Sequence, residues 1–172
     1  MLYSVLNGID RCALWLARLA AVCMACIAVL MLSEIGARFA FNRSLGVTWE
    51  LATYGMTAVI SLAAADTLRH SGHVRVGILL ETLPPALSRG LDMLATTLAI
   101  VVIGFLLLAF GDFVLNSLLR GTRSFEPSRI YLWMPQSLVL LGVAMLFVQL
   151  IARLARLAVP GADRRDDEGL AS

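Results

Sequence analysis

What this chain has least of is charge. Only 15% of its 172 residues are charged, while 59% are hydrophobic and the mean hydropathy is +0.83. Soluble globular domains are about 25% charged overall, so the balance excludes one and describes an integral membrane protein. Lysine is absent, so all 14 basic residues are arginine; no mechanism follows from that. No phosphate-binding loop, zinc motif or nucleophile arrangement is present, and no internal repeat or low-complexity tract. The histidines are His70 and His73 alone. They are three apart and would have to supply any metal or haem site by themselves, although a b-type haem takes ligands buried between spans. The cysteines are Cys12, Cys23 and Cys26. Cys23 and Cys26 spell C-x-x-C, a redox pattern in other settings. Here the pair falls near the middle of an apolar run, where a thiolate is strongly disfavoured, and the second thiol pair of a quinone-coupled membrane oxidoreductase is missing.

What is present is four long apolar runs. A helix rises about 1.5 Å per residue and the hydrocarbon core is about 30 Å thick, so a span needs about 20 apolar residues. The first run extends from Leu14 to Ala37, interrupted by Arg18 and Glu34; the second lies between Glu50 and Asp66; the third covers Met93 to Gly111 and the fourth Ile130 to Ala152. The fold class that follows is all-α, with four transmembrane helices in residues 1–159 and a polar, disordered tail over residues 160–172. The first two runs are short, at roughly 22 Å of uncharged helix each. Arg18 covers part of the shortfall by snorkelling toward the headgroups. A cleaved signal peptide is the alternative for the first run, but three further spans follow it, and Glu34 and Arg38 look retained.

Arginine asymmetry sets the orientation. One side collects Arg11, Arg18, Arg69, Arg75, Arg89, Arg153, Arg156, Arg164 and Arg165; the other has Arg38, Arg43, Arg120, Arg123 and Arg129. Both termini are therefore expected in the cytoplasm. Between the second and third spans, Gly72 stops a helix and a short amphipathic segment ends at Pro84 and Pro85, with Ile78, Leu79, Leu80 and Leu83 dipping into the interface. Trp15, Trp49 and Trp133 sit near span ends as interfacial anchors. Pro135 marks the first turn or an early kink of the fourth span.

The polar residues that remain form small constellations. Glu34 and Arg38 are spaced to pair on one helix face, and Arg38 also has the reach to meet Glu50 across the loop; carboxylates at a membrane edge are costly unless neutralised. An ion-pair clamp on the first hairpin is one reading and contact with a partner protein the other. Thr53, Thr57 and Ser61 recur every four residues, a stripe that membrane helices place where another helix packs closely; a polar pathway for a solute is the alternative. The third and fourth spans hold no deep carboxylate for a proton relay.

Taken in order, these features resemble the small membrane subunit (DctQ-like) of a tripartite ATP-independent periplasmic (TRAP) transporter. The resemblance is carried by Glu34 and Arg38 closing the first span, Trp49 and Glu50 opening the second, Ala63 to Ala65 before Arg69, the run Gly72, His73, Val74, Arg75, the Leu83 and Pro84 pair, and Pro135. The chain departs from the family at Gly77, where an aspartate is often found. The resemblance implies a non-enzymatic subunit without cofactor, catalytic, metal or substrate site. It would work beside a large permease subunit holding substrate and sodium ions, and a periplasmic solute-binding protein that captures an organic acid such as a dicarboxylate. Membrane lipids are the other expected partner, and nucleic acid is not one. Read together with the hydroxyl stripe, the residues expected in subunit contact or structure are Glu34, Arg38, Trp49, Glu50, Thr53, Thr57, Ser61, His73 and Arg75. Arg43, Arg120, Arg123 and Arg129, in the segments expected on the periplasmic side, are the candidates for docking the binding protein. The readings that compete with the resemblance are a membrane thiol oxidoreductase, a self-sufficient small transporter and a plain membrane anchor.

Overall fold

A computed structural model describes residues 2–42, 44, 46–69, 85–124 and 129–158. These residues form four helices: α1 (Leu2–Phe41), α2 (Thr48–Arg69), α3 (Pro85–Leu119) and α4 (Trp133–Ala158). Each is long and apolar enough to cross a membrane. The interfacial segment expected before Pro85, with His73 and Arg75, lies outside the described residues, as do Arg43 and the polar tail.

Two helices are much longer than the apolar runs within them. α1 has 40 residues and α3 has 35, about 60 and 52 Å. Counting uncharged residues finds the part of a helix that sits in lipid, and stops where the helix continues into polar surroundings. α3 begins on Pro85, a position where the missing amide proton costs nothing because the first turn has no intrahelical acceptor for it.

The caps explain where the helices stop. Asn42 takes a left-handed conformation (φ 49°) and donates its amide to the Arg38 carbonyl at 3.1 Å, an αL cap on α1. α3 ends in a Schellman motif around Gly121 (φ 57°), with Thr122 N–H on Ser117 O at 3.1 Å and Gly121 N–H on Leu118 O at 3.2 Å, a geometry that glycine adopts without a Cβ penalty. The α3–α4 connection is then pinned by an Arg123–Tyr131 bridge, with Ser124 N–H on Ile130 O and Leu132 N–H on Thr122 O. Pro135 is the third residue of α4 and falls in its first turn, where it needs no acceptor.

The helices pack as a row, in the order α1, α2, α4, α3, with a smaller contact between α1 and α4. α1 buries Leu6, Ala13, Ala20 and Glu34, while Ile27 lies against Gly55 of α2. That is one residue in every seven, the period of a shallow left-handed crossing. α2 and α4 run parallel and touch through backbone: a Cβ on Gly142 would sit 2.4 Å from the Ser61 carbonyl carbon. Small residues at such a crossing let membrane helices approach and gain dispersion contacts that lipid does not match. The outer helices remain open. In the most apolar stretch of each helix, 0% of α3 and 6% of α1 is buried, against 28% of α2 and 33% of α4.

Candidate functional site

The row is closed by polar brackets at its two ends. At the end holding the α1–α2 and α3–α4 connections, Glu34 of α1 is 8% exposed. Its Oε1 accepts from Arg38 Nε at 2.7 Å and from the Ser44 hydroxyl at 2.6 Å, and its Oε2 from the Thr48 hydroxyl at 3.0 Å. Ser44 Oγ in turn accepts from Gly46 N–H at 3.2 Å and Arg38 Nη2 at 3.3 Å. One carboxylate thus ties the last turns of α1, the loop and the first residue of α2, which meets the demand that a buried charge be fully hydrogen-bonded. The cavity lined by Met31, Glu34, Arg38, Ser44, Gly46, Thr48 and Trp49 has about 40 Å³, the scale of a water molecule.

The expected pairing of Glu34 with Arg38 is therefore present. The reach of Arg38 to Glu50 is not used, since its side-chain bonds go to Glu34 and Ser44. Glu50 is 5% exposed in the first turn of α2, where the helix dipole favours a carboxylate. Trp49 beside it is 77% exposed.

At the opposite end, α4 reaches both ways. Gln149 Nε2 donates to Asp10 Oδ1 at 3.1 Å and Arg156 Nη2 to Asp10 Oδ2 at 2.7 Å, joining α4 to α1. Arg153 Nη2 donates to Asp92 Oδ1 at 2.9 Å, joining α4 to α3. Gln149 is 2% exposed, and the paired side chains are mostly shielded. Residues 149, 153 and 156 lie on one α4 face by their i, i+4, i+7 spacing. Asp10 and Glu34 are about 36 Å apart along α1, so the two brackets stand at the two faces of a core about 30 Å thick.

This second bracket was not legible as a site. Arg153 and Arg156 were visible only as orientation charges, and nothing in the order of residues says that Asp10 and Asp92 come to the same level. The available signal was the repeated placement of one acid just before a span and two arginines just after the last one.

The hydroxyl stripe divides. Thr53, Thr57 and Ser61 each donate to the carbonyl four residues back, at 2.9, 3.0 and 2.8 Å. Ser61 stands at the α2–α4 crossing, whereas Thr53 and Thr57 are exposed. Among the docking candidates, Arg120, Arg123 and Arg129 are all exposed at the connection end. Arg123 is held: its guanidinium lies over the Tyr131 ring at 4.4 Å and bonds the Tyr131 hydroxyl. Cys12, Cys23 and Cys26 are free thiols on α1.

No curated protein matches the chain. The family model for the DctQ component of tripartite ATP-independent periplasmic transporters matches residues 27–159, from the middle of α1 past the end of α4, and so takes in the Glu34 bracket and the α2–α4 crossing. With this match and four helices able to cross a membrane, the chain belongs to the DctQ family: it is a small, multi-pass inner-membrane subunit of a TRAP transporter and not an enzyme.

Proposed function

We propose that this chain serves as a fixed brace for the large permease subunit and offers its arginine-bearing connections as part of the docking surface for the solute-binding protein. The observation that carries this reading is the bracketed row: α1 is tied to α2 at one end, and α4 to α1 and α3 at the other. Such an element resists sliding and tilting of its helices. In this reading substrate and coupling sodium ions are held by the partner subunit, and an organic acid such as a dicarboxylate is the cargo. Both termini are cytoplasmic, the orientation that the arginine asymmetry favours, and Arg120, Arg123 and Arg129, with Arg38 and Arg43, face the periplasm.

Charged rims act mainly on encounter rate and orientation. Charge reversal at Arg120 and Arg123 is expected to slow association of the binding protein with the reconstituted complex at low ionic strength, with the difference shrinking as salt is added. Stopped-flow association measured across a salt series checks this. An association rate unchanged by the double reversal at low salt contradicts the docking role.

A further inference from the structure

One face of α1 takes no part in the brackets. Asn7, Arg11, Leu14 and Arg18 fall within about 60° of one another around the helix axis, with Trp15 beside them. Asn7, Arg11, Trp15 and Arg18 are exposed, Trp15 by 67%. Neither Arg11 nor Arg18 forms an ion pair or hydrogen bond with a described residue, and the neighbouring carboxylate of Asp10 already accepts from Gln149 and Arg156.

Arg18 starts about 10 Å further into the span than Arg11, a depth at which a guanidinium seeks the interface or an anion. Its guanidinium stands over the Trp15 ring at 5.3 Å, which brings it back along the helix toward Arg11. A cavity of about 170 Å³ opens against Asn7, Asp10, Arg11 and Leu14. Deeper in the span the same face continues as Val22, Val29 and Leu32, exposed by 60, 66 and 67%.

We propose that this face is a binding site for an anionic phospholipid. Asn7 and Arg11 hold the phosphate in the cavity and Arg18 supplies a second positive charge from the membrane side. Trp15 packs at the level of the glycerol backbone, and an acyl chain follows Leu14, Val22 and Val29. A partner helix covering the same surface would have to bring its own carboxylates to the membrane edge, whereas a phospholipid carries its phosphate at that depth. The site does not depend on the docking role.

The test uses the full chain with Trp49→Phe and Trp133→Phe, so that Trp15 alone fluoresces. It is reconstituted in phosphatidylcholine vesicles holding equal fractions of dibrominated phosphatidylglycerol or dibrominated phosphatidylcholine. Bromines on phosphatidylglycerol are expected to quench Trp15 more strongly. Arg11→Gln and Arg18→Gln are each expected to lower that preference about five-fold at low salt, and the double variant to abolish it. Equal quenching by the two lipids in the chain that keeps both arginines overturns the proposal, and that comparison needs no arginine variant to fold. Loss of quenching by both lipids when a large subunit with its tryptophans replaced is co-reconstituted also overturns it, because protein then covers the face.

Discussion

Glu34 is the residue whose environment asks most of its neighbours. Its carboxylate is buried and accepts from Arg38, Ser44 and Thr48, so these described residues set a cation and two hydroxyls from three consecutive pieces of chain against its charge. Glu34→Gln removes the charge and turns one acceptor oxygen into a donor facing donors. Hydrogen bonds to charged groups are worth about 1.5–3 kcal/mol each when a partner is lost, so a clear fall in the thermal unfolding midpoint in detergent is expected. Arg38→Gln is expected to do less, because the Arg38 side chain is 66% exposed and Glu34 keeps the Ser44 and Thr48 hydroxyls as donors. A thermal series in which Arg38→Gln is the more damaging change contradicts this ranking. The spacing of Glu34 and Arg38 made their pairing readable in advance. Ser44 and Thr48 were not, since any serine or threonine is a potential donor and only the turn through Asn42 and Gly46 brings these two to the carboxylate.

At the scale of helices, the tightest point is where Gly142 of α4 meets the backbone of Ser61. Any side chain at residue 142 forces α2 and α4 apart at this crossing. Gly142→Ala is expected to cost about 1–3 kcal/mol, the usual range for overpacking, and Gly142→Leu more. Ser61→Ala is expected to be nearly silent, since the Ser61 hydroxyl bonds within its own helix. Guanidinium or thermal unfolding of the purified chain separates these outcomes, and a silent Gly142→Leu contradicts the backbone contact. The opposite bracket gives a second check. In a double-mutant cycle over Asp92→Asn and Arg153→Gln, a coupling of about 0.5–3 kcal/mol is expected, and additive losses contradict the α3–α4 tie. The existence of all four helices was legible, because nothing but a membrane span accounts for apolar runs of this length. Their true lengths were not: the first 12 residues of α1 lie before the apolar run and carry Asp10 and Arg11, yet they are helical and Asp10 bonds Gln149 and Arg156 on α4. Only tertiary contact reveals that such a stretch is helical and tied down.

As a whole molecule the chain is an open row of four helices, with its most apolar helix, α3, at one edge and its ionic groups gathered at the two membrane faces. The apolar outer helices are suited to lipid or to another membrane subunit, and the inner pair, α2 and α4, holds them in register. The sequence pattern pointed to a transporter subunit through motif order rather than through any reactive group, and the DctQ match agrees. The layout of the row was beyond the sequence, since four spans of similar hydropathy can be arranged in several orders, and only side-chain pairs such as Ser61 with Gly142 choose among them. The most direct test of the brace is transport in proteoliposomes under an imposed sodium gradient. Loaded with this chain alone and the solute-binding protein, the vesicles are expected to accumulate no organic acid. With the large subunit added they are expected to accumulate it, and less when Glu34 or Asp92 is neutralised. Sodium-driven uptake by vesicles that hold this chain without the large subunit would contradict the account.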